Sequence, residues 1–237
     1  MINDLGRVYK RVFKKTKNNL KHLPLLAIEL SSIFFIFYIV NMLTVFSQTF
    51  SPIMGVVRYF VRVLALSSLF SGLQSIIEYD RLKMDHFLDF SRFFNHIVQY
   101  IFVLFIIDLL VQFLSLSGIV PGVIVTIIST LIVAITSPAY EMIYIDEYGG
   151  YNIFTRLIPF FRENWFNWIG GLLISLLINY LITYLQSIAF LNVVYFIIAT
   201  IILSFVIGVL ILIKGNLYDV LAHSSRRKRD FEDKFNE

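Results

Sequence analysis

The sequence predicts an all-α fold, a polytopic integral membrane bundle of six transmembrane helices. Long apolar runs separated by short polar breaks predict it, together with a low charge content and a one-sided placement of lysine and arginine. Of 237 residues, 58% are hydrophobic and 15% charged, whereas a soluble domain carries about a quarter charged residues. Strands of a membrane β-barrel would alternate apolar and polar residues over about ten positions. No such alternation occurs.

A span needs about 20 mostly apolar residues. The stretches that qualify are Leu23–Phe46, Val57–Ile77, Ile97–Ser117, Ile119–Met142, Trp165–Leu185 and Ile188–Ile213. The first is no cleavable leader, because its apolar run is long and a basic stretch precedes it. The chain divides accordingly into an N-terminal amphipathic segment (1–22), a six-span domain (23–213) and a tail (214–237).

Lysine and arginine set the expected orientation. Arg7 to Lys21, then Arg81, Lys83 and Arg92, then Arg156 and Arg162, then Lys214 to Lys234 all fall on one set of connections. The opposite connections, near Ser47–Pro52, Ser117–Val120 and Gln186–Ala189, hold no lysine or arginine. The positive-inside rule places the basic set, and both termini, in the cytoplasm of a cell-membrane protein. Only Arg58 and Arg62 break the pattern. A net charge of +4 is explained by this orientation, so no nucleic-acid partner is expected.

A segment of interfacial texture leads each pair of spans: Arg7–Leu20, Leu82–His96 and Tyr151–Asn164. Asp80 with Phe93 and Phe94 is echoed about 66 or 67 residues later by Asp146 with Phe160 and Phe161. This predicts three units, each an amphipathic helix followed by a hairpin; chance likeness between apolar sequences is the alternative. Such helices lie at the headgroup level with apolar side chains down. Phe87, Phe93, Phe94, Phe154, Phe160 and Phe161 are accordingly the candidates for docking a cytoplasmic partner, in the manner of coupling helices; a membrane-anchored connector is the plainer reading.

Ionisable residues inside spans are costly and mark function or specific pairing. Glu29, Arg58, Arg62, Asp108 and Glu141 are the candidates. Asp108 lies about 11 residues from its cytoplasmic end and Arg62 about 15, roughly 16 Å and 22 Å at the helical rise. That difference is within reach of an arginine side chain, so an Arg62–Asp108 pair is expected. Arg58, one turn beyond Arg62, is expected to snorkel outward. The pair reads as a structural lock or as a site for an anionic headgroup or substrate. Glu29 is a candidate proton-carrying carboxylate, and Glu141, at similar depth, a candidate to share its pocket.

The chain contains no cysteine, which removes thiol nucleophiles, disulfides and thiolate-bound metals. No P-loop, Gly-x-Ser-x-Gly or His-Glu-x-x-His pattern occurs, and no pair among His22, His86, His96 and His223 has metal-ligand spacing. No catalytic residue, metal or cofactor is expected.

The stretch FKKTKNNLKHLPLLAIELSSIF (13–34) resembles the opening of the membrane domain fused to bacterial glycerophosphodiester phosphodiesterases, and IIEYDRLKMDHFLDFSRFF (76–94) is similar to the connection after its second span. The resemblance covers about a third of the chain. It implies a stand-alone bacterial membrane module; the family's soluble catalytic barrel would follow the membrane part, so its activity does not carry over. Two functions are then expected: a non-enzymatic module in the lipid bilayer that handles a lipid or hydrophobic molecule or anchors a partner, or a transporter subunit coupled to a separate ATPase.

Overall fold

The structure is a computed structural model that describes residues 2–46, 51–116, 121–189 and 192–224. Among these residues nine α-helices and one 3₁₀ turn form, with no strand. Six helical stretches are long and apolar enough to cross a membrane. Parts of the connections expected near Ser47–Pro52 and Ser117–Val120 and the tail after Ser224 lie outside the described residues.

Helix α1 (Ile2–Asn19) buries Asp4, Val8, Val12, Thr16 and Asn19 on one stripe and exposes Lys10, Lys14 and Lys17. Spacing of three to four residues puts those buried positions on a single helical face. That face packs against the last helix of the chain, so the segment is docked on protein. A 3₁₀ turn, Leu20–His22, joins it to α2 (Leu23–Phe46), with the Leu23 amide bonded to the Leu20 carbonyl. The tighter turn falls just before Pro24, which has no amide to continue an α-helical ladder.

Helix α3 (Ser51–Tyr79) is the axis of the packed region. Every residue from Ser67 to Ile77 is buried, so this half of the helix is enclosed on all sides. It ends on Asp80, whose φ of 50° is left-handed, a conformation aspartate tolerates better than most residues. The Asp80 and Arg81 amides return to the Ile76 and Ser75 carbonyls, closing the helix.

The following connection rises back along α3. Its single helical turn, α4 (Met84–Phe87), inserts Phe87 against Gly72; a Cβ there would stand 2.4 Å from the ring. Ser68 Oγ donates to the Phe87 carbonyl at 2.6 Å, and the Phe93 amide donates to Ser67 Oγ at 3.2 Å. The expected amphipathic helix over Leu82–His96 is therefore replaced by one turn and irregular backbone. The polar groups of α3 bind that backbone directly, so the threefold helix-plus-hairpin repeat is absent at its second unit.

Helix α5 (Phe94–Leu116) buries only Ile97 and Tyr100, and α6 (Gly122–Thr136) only Val125. Pro138 ends α6, and α7 (Ala139–Tyr144) resumes with all residues but Tyr140 buried. Helix α8 (Tyr151–Ala189) runs through Pro159 without a break, so Tyr151–Asn164 and the fifth span are one element. Helix α9 (Val193–His223) starts on an Asn192 cap, whose Oδ1 accepts from the Val194 amide at 2.8 Å. It continues past Ile213, so the boundary expected at 213/214 lies inside a helix.

The spanning helices pack in chain order as a closed ring: α2 on α3, α3 on α5, α5 on α6, α6 on α8, α8 on α9 and α9 on α2. Helix α1 and the C-terminal part of α9 share an end of that ring, joined by Lys15 and Asp219 at 2.6 Å. The deepest packing sits toward this end, around α3, α7 and the C-terminal half of α9.

Candidate functional site

At the end where α1 meets the C-terminal part of α9, the sequence after Ile213 reads KGNLYDVLAH. A helix through it turns Lys214, Asn216, Tyr218 and Asp219 toward α1, α7 and α8. Pro138 interrupts the α6–α7 backbone, and the Ser137 carbonyl accepts from Lys214 Nζ at 2.9 Å. The same ammonium lies 3.0 Å from Glu141 Oε2, outside hydrogen-bond alignment, with the two side chains 7% and 4% exposed. Trp168 Nε1 donates to Ser137 Oγ at 2.7 Å, and its ring stands under the ammonium at 5.9 Å. A buried charge is tolerated when it is paired and hydrogen-bonded, and the proline break supplies the extra acceptor.

A second chain of polar contacts leads outward. The Tyr218 hydroxyl donates to Asp146, His223 bridges Asp146 and Asp219 at 3.1 Å and 3.2 Å, and Lys15 closes on Asp219. Asn216 donates to Thr16 Oγ1 at 3.1 Å and accepts from Asn19 at 3.3 Å. Asn167 donates to Asp4 at 2.9 Å. These contacts clamp α1 onto the ring.

Two carboxylates outside the spans are held below their ordinary range. Asp80 is lowered chiefly by the hydrogen bond from Lys21, at 2.5 Å, with His22 beside it. Glu147 is lowered by hydrogen bonds from Gln74 at 3.0 Å and Arg92 at 2.7 Å.

The five intramembrane candidates separate. Glu29 Oε1 lies 2.5 Å from Ser68 Oγ, where it competes with the Phe87 carbonyl for that hydroxyl's single proton, and Glu141 is taken by Lys214, so the two do not share a pocket. Asp108 accepts from Gln112 one turn along its own helix, at 2.7 Å. Among the described residues no ion pair joins it to Arg62. Both side chains are exposed, as is Arg58.

The six aromatic docking candidates are drawn inward. Phe87, Phe93 and Phe160 are buried; Phe94, Phe154 and Phe161 are partly buried and packed against the core. Phe93 meets Phe70, and Phe160 meets Trp168 and Tyr218. The connection after α3 folds back to bury Phe87 and Phe93, and the packed N-terminal part of α8 buries Phe160.

Ser68, Asp146, Lys214, Asn216 and Asp219 were not among the predicted site residues. For Lys214, Asn216 and Asp219 a signal was present: polar residues at helical spacing after Ile213; Ser68 and Asp146 carried none. Lys214 read instead as the basic stop that ends a span.

The fold and these contacts define a six-span helical membrane protein with a polar-locked end. Comparison with family models, curated proteins and solved structures yields no match to the chain.

Proposed function

We propose that this chain is a non-enzymatic integral membrane module that holds a lipid, another hydrophobic molecule or a partner protein against the outer face of the bundle, where Arg62 of α3 and Asp108 of α5 are each exposed. One observation carries the reading: both side chains are exposed on spanning helices, and Asp108 has Gln112 of its own helix as its polar contact. A charged side chain at the bilayer centre costs about 2.5–3.5 kcal/mol by insertion scales. A molecule that covers this face and offers hydrogen bonds offsets that cost. Glu141, by contrast, is buried against Lys214.

The positive-inside bias supports placing the end formed by α1 and the C-terminal part of α9 in the cytoplasm, and the likeness to bacterial phosphodiesterase membrane domains fits a membrane module. An ATPase-coupled subunit has less support, since three of the rings expected to form its docking surface, Phe87, Phe93 and Phe160, are buried and the other three are partly buried against the core.

Native mass spectrometry of the chain extracted from its own host in mild detergent tests this. A defined lipid or protein retained by the wild type and lost from Arg62→Ala and Asp108→Asn is expected. Retention by both variants, or a wild type that carries nothing defined, overturns it.

A further inference from the structure

Where α3 ends, Ser75, Tyr79, Arg81, Lys83, Asp85 and His86 line an open cavity of about 610 Å³. At this end four basic side chains are spent on carboxylates, Lys15 on Asp219, Lys21 on Asp80, Arg92 on Glu147 and Lys214 on Glu141, while Lys10, Lys14 and Lys17 lie on the outer face of α1 away from this cavity. Arg81 and Lys83 are exposed and form no ion pair among the described residues. Asp85 is the single carboxylate in the lining, so two cations face one anion before His86 contributes. The Arg81 amide is occupied by the Ser75 carbonyl at 3.2 Å, which fixes the start of the loop against α3.

The same loop exposes apolar side chains. Met84 is 59% exposed, Leu88 68% and Phe90 43%, beside Tyr79 at the helix end. Apolar side chains next to uncompensated basic ones, at the end of a spanning helix, match the boundary between acyl chains and headgroups. Arginine and lysine bind phosphate oxygens through charge-assisted hydrogen bonds, and basic residues beside a span attract anionic lipid.

We infer that this cavity binds the headgroup of an anionic phospholipid, with Arg81 and Lys83 on the phosphate and Asp85 accepting from a headgroup hydroxyl. Met84, Leu88 and Phe90 lie against the chains. The site is separate from the Arg62 and Asp108 face and stands or falls independently of it.

The test uses the full chain in mild non-ionic detergent. It is titrated with short-chain phosphatidylglycerol, with phosphatidylcholine of the same chain length and with inorganic phosphate, read by native mass spectrometry and melting point. Phosphatidylglycerol is expected to bind about tenfold tighter than phosphatidylcholine. Arg81→Gln/Lys83→Gln removes that preference while its lipid-free melting point stays at the wild-type value. Lys10→Gln/Lys14→Gln makes the same charge change on the exposed face of α1 and keeps the preference. Equal binding of the two lipids, an unchanged preference in the Arg81/Lys83 variant, or an equal loss in the Lys10/Lys14 variant overturns the inference. Phosphate that competes as well as the lipid reassigns the cavity to a free anion and also overturns it.

Discussion

Lys214 Nζ lies 3.0 Å from Glu141 Oε2 inside the protein, although the two residues stand 73 positions apart in the chain. The ammonium also holds the Ser137 carbonyl, at the point where Pro138 interrupts the backbone. This contact joins the fourth span to the sixth. Removing one partner leaves an uncompensated buried charge, which costs about 3–5 kcal/mol, whereas replacing both with uncharged side chains is often near neutral. Lys214→Met and Glu141→Gln should each lower the melting point in detergent, and the double variant should recover most of the loss. Singles that melt like the wild type would show that the pair does not hold the bundle.

Two glycines make opposite predictions. Gly72 faces the Phe87 ring at 2.4 Å from where a Cβ would stand, and that ring fixes the connection after α3. Gly72→Ala should destabilise by about 1–3 kcal/mol through overpacking. Gly6 has nothing within 4 Å of its Cβ position and lies within α1. Gly6→Ala should stabilise by about 0.5–1 kcal/mol, because alanine loses less entropy in a helix. The two melting points, compared with that of the wild type, check the pair.

The acid limb of stability should trace to Asp80 and Glu147. Both are lowered from ordinary values of 3.8 and 4.5, so the folded state releases their protons more readily than the unfolded state does. Their contribution is complete above about pH 4.5 and is lost as pH falls through the lowered values. Melting points between pH 6 and pH 3 should fall less steeply in Asp80→Asn/Glu147→Gln. Asparagine suits position 80 because it also tolerates the left-handed backbone. An unchanged acid slope would remove these two carboxylates from the explanation.

Closure of the ring between α2 and α9 can be read by chemistry, since the chain holds no cysteine. Ser31 Oγ and Ser204 Oγ are 2.9 Å apart, a separation compatible with disulfide geometry after substitution. Ser31→Cys/Ser204→Cys should form an intramolecular disulfide under mild oxidant, detected as a loss of free thiol. Ser32→Cys/Ser204→Cys should not, because Ser32 is exposed and bonded within its own helix. Equal reactivity of both pairs would contradict the packing of α2 on α9.

The sequence by itself determined the class and the span pattern. Leu23–Phe46 is α2 to the residue, and the other five apolar runs each fall within or close to a long helical stretch, because about 20 apolar residues in lipid leave the backbone no partner except itself. It also marked Arg62 and Asp108 as charges within spans, which needs only position along the chain. Tertiary structure decided which polar groups meet. Glu141 lies in an apolar run and Lys214 beside one, and neither reveals its partner until Pro138 and the ring bring α7 against α9. Asp108 and Arg62 match in depth and charge, yet depth along a span does not fix the direction a side chain takes around its helix. The six phenylalanines read as a surface because their segments mix charge and ring; packed against neighbouring elements, Phe87, Phe93 and Phe160 are buried and Phe94, Phe154 and Phe161 are partly buried. Hydrophobic spacing is local and survives any packing, whereas polar pairing depends on helix rotation and on where a connection doubles back.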